Sequence, residues 1–192
     1  ITGLVFAPLR YNKRGVGESE GDYYETGMWD LVDDVTAAVK YLEEHPRVDP
    51  ERIILMGHSE GCMLATAANV KKPVSGMILI AGAAESLSEA TARQRQIAMG
   101  EMMNAKGVKG ALCRMLKLDE KSEKQNEKLT QKIINSDKNV IRINLVKLNA
   151  KWMREHYAHD VVDDLKQAKC PVLAVTGSAD VQADPGKIKR MP

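Results

Sequence analysis

The sequence predicts an α/β protein: a mostly parallel sheet with helices between its strands and an inserted helical cap. Three observations predict it. Short apolar runs alternate with amphipathic stretches through residues 1–84, the rhythm of strand–helix–strand units. A Gly-x-Ser-x-Gly pentapeptide, Gly57-His58-Ser59-Glu60-Gly61, sits where one apolar run gives way to a helix-compatible stretch. Residues 85–165 abandon the rhythm and residues 166–192 resume it.

Taken in order, Leu4 to Arg10 is an apolar run ending in a polar, glycine-rich turn from Tyr11 to Gly21, which reads as a buried strand and its C-terminal loop. Leu31, Val32, Val35, Val39 and Leu42 then fall on one helical stripe, with Asp30, Asp33 and Asp34 near its N-terminal end. Negative charge is favoured there by the helix dipole. Pro46 stops the helix, and Asp49-Pro50 turns the chain into Arg52 to Met56. Ile53, Ile54 and Leu55 in that run suit a strand covered on both faces. Small, helix-compatible residues follow from Cys62 to Asn69, and Pro73 precedes a third apolar run from Gly76 to Ala81.

Residues 85–165 are rich in Lys, Gln, Asn and Met and hold no strand-like run, so they predict several amphipathic helices forming the cap. Cys170 to Gly177 returns to the strand pattern, with Ser178-Ala179-Asp180 at its C-terminal end. The expected organisation is a first part of the core over 1–84, the cap over 85–165 and a second part of the core over 166–192.

Composition removes several other classes. With 44% hydrophobic and 28% charged residues the chain can bury a core, which argues against disorder, collagen and coiled coil. Its apolar runs are far shorter than the roughly 20 residues of a membrane-spanning helix, so no membrane span is expected. A formal charge of +2 and only eight aromatics give nucleic acid neither a field nor a stacking surface. The basic excess between Lys106 and Lys151 reads as solvated helix faces. Cys62, Cys113 and Cys170 lie far apart, make no paired metal spacing and are odd in number, so neither a zinc site nor a disulfide framework is indicated. Gly15, Gly17 and Gly21 miss the dinucleotide spacing by one residue. No cofactor or metal is expected, and His156 and His159, at i, i+3 without a ligand pattern around them, read as packing.

The pentapeptide carries the chemistry. A serine on a sharp strand-to-helix turn takes a strained backbone that lifts its hydroxyl above the strand edge. Ser59 is therefore the expected nucleophile. Gly57 and Gly61 are expected to be glycines because strand and helix pass too close for a Cβ. The new helix aims its first amides, that of Glu60 among them, at an oxyanion on the substrate. An acid that orients a histidine belongs at the end of a later strand, where Asp180 stands. Asp184, Asp160, Asp163 and Asp164 are weaker rivals. Met99, Met102, Met103, Met115 and Met153 in the cap are flexible side chains able to mould to acyl groups or to fill a helical core.

The segments Arg10 to Gly21, Gly57 to Gly61 and Pro171 to Gln182 together resemble the α/β-hydrolase superfamily. Within it they are similar to bacterial serine esterases of the dienelactone hydrolase and prolyl-oligopeptidase-like groups, many of which carry a helical cap. Such relatives have Asp where Asn12 stands, a change that reads as local loop chemistry. The resemblance implies hydrolysis of a small-molecule ester through an acyl-enzyme on Ser59; the alternatives are a catalytically silent fragment or binding domain of hydrolase fold, or a serine peptidase in the full-length protein. It also implies a triad in the order Ser, Asp, His, yet His45, His58, His156 and His159 all precede Asp180. By the same resemblance Leu4 to Arg10 is the family's fourth strand. Three strands and the loop giving the second oxyanion donor are then expected before Ile1, and a strand and helix with the histidine after Pro192. The chain is expected to be a central fragment, catalytically silent alone, whose strands before Tyr11 and before Ser59 do not pair with each other. Unpaired strand edges make a homo-oligomer a further expectation.

Overall fold

A computed structural model of the chain describes residues 6–143 and 145–192. Its centre is a three-stranded parallel sheet formed by β1 (Ile54–His58), β2 (Gly76–Ile80) and β5 (Val172–Val175) in the order β1-β2-β5. Strand β1 starts two residues later than the apolar run suggests, because Pro50–Arg52 forms a 3-10 turn capped by Asp49. It runs on through Gly57 to His58, so the pentapeptide itself spans the strand end, the turn and the helix start.

Seven helices accompany the sheet among the described residues: α1 (Met28–Glu44), α2 (Glu60–Lys71), α3 (Leu87–Met103), α4 (Val108–Met115), α5 (Leu118–Ile134), α6 (Ala150–Ala158) and α7 (Val161–Gln167). None is long and apolar enough to cross a membrane. Helix α1 follows the predicted stripe, burying Met28, Leu31, Val32 and Val39. Helix α2 is buried continuously from Cys62 to Asn69, as a helix sandwiched between layers must be. On one side Cys62 and Ala65 meet Met77 and Leu79 of the sheet, together with Leu165 of α7. On the other, Met63, Leu64, Ala67 and Ala68 meet Leu31 and Val32 of α1 and Val161 of α7.

The layers are thus sheet, then α2 with α7, then α1. Helices α6 and α7, which fall inside the stretch expected to form the cap, lie against this core: Trp152 and Val162 join its cluster.

Four expectations need correction. Leu4 and Val5 of the predicted first strand lie outside the described residues. Residues 6–10 form no strand, and Phe6 and Leu9 are exposed. The outer edge of β1 carries no neighbouring strand among the described residues, so this apolar run has no ladder to join. Second, the stretch expected to be wholly helical contains an antiparallel hairpin, β3 (Val140–Ile143) with β4 (Val146–Asn149). Its inner side chains Ile141, Ile143 and Leu148 form a small cluster with Ile133 and Met153.

Third, the described residues cover the sheet on one face only. Leu55, Met77, Leu79, Val172 and Ala174 face the helices. The alternating residues do not: Ile54 is 45% exposed, Met56 54%, Leu173 57% and Val175 48%. An all-parallel sheet is normally buried on both faces. Fourth, Gly57 and Gly61 are not equivalent, as the site itself makes plain.

Candidate active site

Ser59 occupies the single residue between β1 and α2. Its φ of 54° and ψ of −117° lie outside the regions that a residue with a Cβ adopts at low cost. Three backbone contacts hold it there. Its N–H donates to the Ile80 carbonyl at 2.9 Å, its own carbonyl accepts from Cys62 N at 2.9 Å, and Gly82 at φ 142° passes so close that a Cβ on it would stand 3.2 Å from the Ser59 carbonyl oxygen. Ser59 is exposed. The turn after β2 at Ala81-Gly82 is thus part of the elbow, which the pentapeptide alone does not reveal.

A Cβ on Gly57 would stand 2.7 Å from Cys62 N and still closer to the Gly61 carbonyl. The backbone of the first turn of α2 leaves no room for it. Gly61 is different: a Cβ built on it meets nothing within 4 Å. The strand-side glycine faces the helix start, whereas the helix-side glycine faces open space, so only Gly57 is sterically required.

Glu60 opens α2, and the first amides of a helix have no carbonyl one turn below to bond. The Glu60 amide is one of these. Its side chain does something the sequence did not suggest. The carboxylate is mostly buried and gathers donors from two distant segments. Lys13, from the glycine-rich loop, pairs with Oε2. The Trp152 indole of α6 donates to Oε1 at 2.7 Å, and the buried His156 ring presents Nε2 to the same oxygen at 3.3 Å. Burial opposes ionisation, but His156, Lys13 and Trp152 together outweigh it and bring the carboxyl down to about 2. His156 Nδ1 also bonds the Trp152 carbonyl at 2.8 Å. Beneath Ser59, burial pushes the Cys62 thiol up to about 11, which removes it as a competing nucleophile.

Asp180 lies in the turn after β5, two strands from Ser59. Its carboxylate accepts from Gln182 N at 2.7 Å and Ala183 N at 3.0 Å. The Ala183 and Gln182 amides hold it below the usual carboxylate range, and the charges of Arg93 and His58 add to this. The rival acids have structural work. Asp184 caps the 3-10 turn at Gly186 and Asp160 caps α7 at Val162. Asp163 pairs with Lys166, and Asp164 pairs with His159 at 2.8 Å.

His58 ends β1 beside Ser59, close enough for its charge to act on Asp180, and the other three histidines are placed elsewhere. His45 caps α1 and bonds Arg47 N, His156 faces Glu60, and His159 lies between Asp164 and the edge of Trp29. Among the described residues no imidazole bonds the Ser59 hydroxyl or the Asp180 carboxylate. Nor do three metal-ligating side chains gather among them. A hollow lined by Leu9, Tyr11, Arg14, Asp34 and Tyr41 includes neither Ser59 nor Asp180 in its wall.

The family model described as serine aminopeptidase, S33, matches residues 5–191. Esterase EstD of Thermotoga maritima is 27% identical over 176 residues, 91% of this chain but 38% of EstD. A structure of Est1E from Butyrivibrio proteoclasticus with ferulic acid bound superposes with a TM-score of 0.55 at 17% identity, covering 92% of this chain and 59% of Est1E. The α/β-hydrolase GrgF from a Penicillium species gives a TM-score of 0.54 at 16% identity, covering 93% and 65% of the two chains. The chain spans less than two-thirds of the length of each of these relatives.

Proposed function

The chain belongs to the serine aminopeptidase S33 family of α/β-hydrolases, and from that premise we propose that the full-length protein cleaves carboxylic esters through an acyl-enzyme on Ser59. The observation that carries this is the elbow. An exposed hydroxyl sits at φ 54° between a parallel strand and a helix N-terminus, over a glycine that nothing larger can replace. Ser59 Oγ attacks the acyl carbonyl while a histidine takes its proton, and the Glu60 amide receives the developing oxyanion. The imidazolium then protonates the leaving alcohol. Water attacks the acyl-enzyme by the same route, returning the proton to Ser59. Asp180 holds the imidazole and stabilises its charge.

On this reading the histidine comes from outside the described residues, among which no imidazole bonds Ser59 or Asp180 and His58 reaches the acid only through its charge. The open sheet face supports the same reading. Ile54, Met56, Leu173 and Val175 form an apolar surface of the kind that helices cover in a parallel sheet, and the coverage of EstD leaves ample polypeptide to cover it. The 192 residues alone are accordingly expected to be silent. The esterase names of EstD and Est1E favour esters over peptides.

The test uses the full-length polypeptide. It should be labelled by a fluorophosphonate and turn over p-nitrophenyl butyrate, with both lost in Ser59→Ala, while aminoacyl p-nitroanilides are left intact. Labelling that survives Ser59→Ala sinks the nucleophile assignment, and ester turnover by the 192 residues alone sinks the claim that the base lies elsewhere.

A further inference from the structure

Arg93, in the second turn of α3, carries another polar network that spans distant segments. Its fork lies on Glu85, with Nε 3.0 Å from Oε1 and Nη2 3.2 Å from Oε2. Glu85 follows β2 and is only 2% exposed, so the pair is fixed in place. The remaining donors reach the acid turn: Nη1 donates to the Val181 carbonyl at 2.9 Å and Nη2 to the Gln182 carbonyl at 2.7 Å. Gln94 donates to the same Gln182 carbonyl at 2.8 Å, and Glu85 Oε2 accepts from Asp184 N at 3.0 Å.

The Val181 carbonyl belongs to the same peptide group as the Gln182 N–H, and the Gln182 carbonyl to the same group as the Ala183 N–H. Those two N–H groups are the ones that Asp180 accepts. Arg93 therefore holds the oxygen ends of both peptide planes whose nitrogen ends hold the Asp180 carboxylate. Each plane is fixed at both ends, and a cation on the oxygen polarises the N–H toward the carboxylate. A planar guanidinium can serve Glu85 and two carbonyls together; an ammonium has three donors in a compact head and cannot span them.

We propose that Arg93, oriented by Glu85, is a positioning residue that sets the direction of the Asp180 carboxylate through the 181–182 and 182–183 peptide groups. The proposal rests on the reading of Asp180 as the acid of the triad. It makes the first helix after β2 part of the acid's support, so a shift of α3 is felt at the acid.

The test is a double-mutant cycle in the full-length polypeptide with p-nitrophenyl butyrate. Arg93→Lys keeps a cation opposite the buried Glu85 and should fold. Its kcat should fall roughly ten- to a hundredfold, the scale of a misplaced catalytic group, with KM within about twofold of the parent. The acid limb of the kcat/KM profile should move to lower pH, because the imidazolium loses its oriented carboxylate. In an Asp180→Asn background Arg93→Lys should cost less than about twofold more. Gln94→Ala, which leaves the buried pair intact, should give a loss of a few fold that likewise vanishes in that background. Losses that multiply, or an acid limb that stays in place, overturn the proposal while leaving Asp180 as the acid. An Asp180→Asn variant with undiminished kcat overturns the acid assignment itself, and this proposal with it.

Discussion

Replacing Glu60 by Gln removes one charge and almost no volume from the junction of elbow, glycine-rich loop and α6. The carboxyl sits at about 2 against an ordinary value of 4.5, a depression of about 2.5 units, which at roughly 1.4 kcal/mol per unit corresponds to about 3 kcal/mol. The side chain is 20% exposed, so solvent screening removes little of this. The sign follows from the direction of the shift. A carboxyl lower in the folded state stabilises the fold fully above 4.5, and that stabilisation drains away as pH falls toward 2. Glu60→Gln, which resembles the protonated form at every pH, should therefore be about 3 kcal/mol less stable than the parent at pH 7. By pH 3 the deficit should be only about 1 kcal/mol.

Urea unfolding of both proteins from pH 7 to pH 3 measures this directly, and near neutrality the midpoint of thermal unfolding should drop by roughly 6 to 12 °C. Glu89 is also held at about 2, its burial outweighed by Lys187, the Ser86 amide and Arg190, but it titrates in both proteins and cancels in the difference. A deficit of equal size at pH 7 and pH 3 would refute the reasoning. It would mean that shape, and not the charge facing His156 and Lys13, is what Glu60 contributes.

The two glycines of the elbow should respond with opposite signs. Gly57→Ala should cost at least about 3 kcal/mol, because a backbone has to move to admit the methyl group. Gly61→Ala should stabilise by about 0.5 to 1 kcal/mol, through helix propensity in open space; chemical denaturation that finds both destabilising would contradict the close approach described. On the open sheet face, Met56→Lys and Leu173→Lys should each change the stability of the 192 residues by less than about 0.5 kcal/mol. In the full-length polypeptide the same changes should cost about 2 kcal/mol or more. Equally small effects in both would show that nothing covers this face.

The elbow was legible in the sequence because its chemistry is local: strand, turn and helix lie within a dozen consecutive residues, and the pentapeptide states where each begins. The place of Asp180 after β5 was legible for a related reason, since the end of a parallel strand is a place the sequence pattern marks. What surrounds them was not. Trp152 meets Glu60 across a separation of 92 residues, and Arg93 meets Val181 across 88. No periodicity encodes a contact of that length. The hairpin was nearer to hand, since Val140, Ile141 and Ile143 are β-branched and Val146-Lys147-Leu148 alternates, but four-residue strands amid lysines and asparagines give little signal beside the long helices flanking them.

Ile53 to Leu55 was misread in a more informative way. The run has the composition of a strand buried on both faces, and the observed strand buries one. Composition records the environment in which a side chain is stable, and an alternating row of Ile, Met, Leu and Val across three paired strands is not a surface that water favours. The disagreement between what these residues are and where they lie is therefore open to measurement. Met56 and Leu173 have the composition of a covered layer and the exposure of an open one, and the paired Lys substitutions decide between the two by asking whether the full-length polypeptide is destabilised by a charge that the 192 residues tolerate.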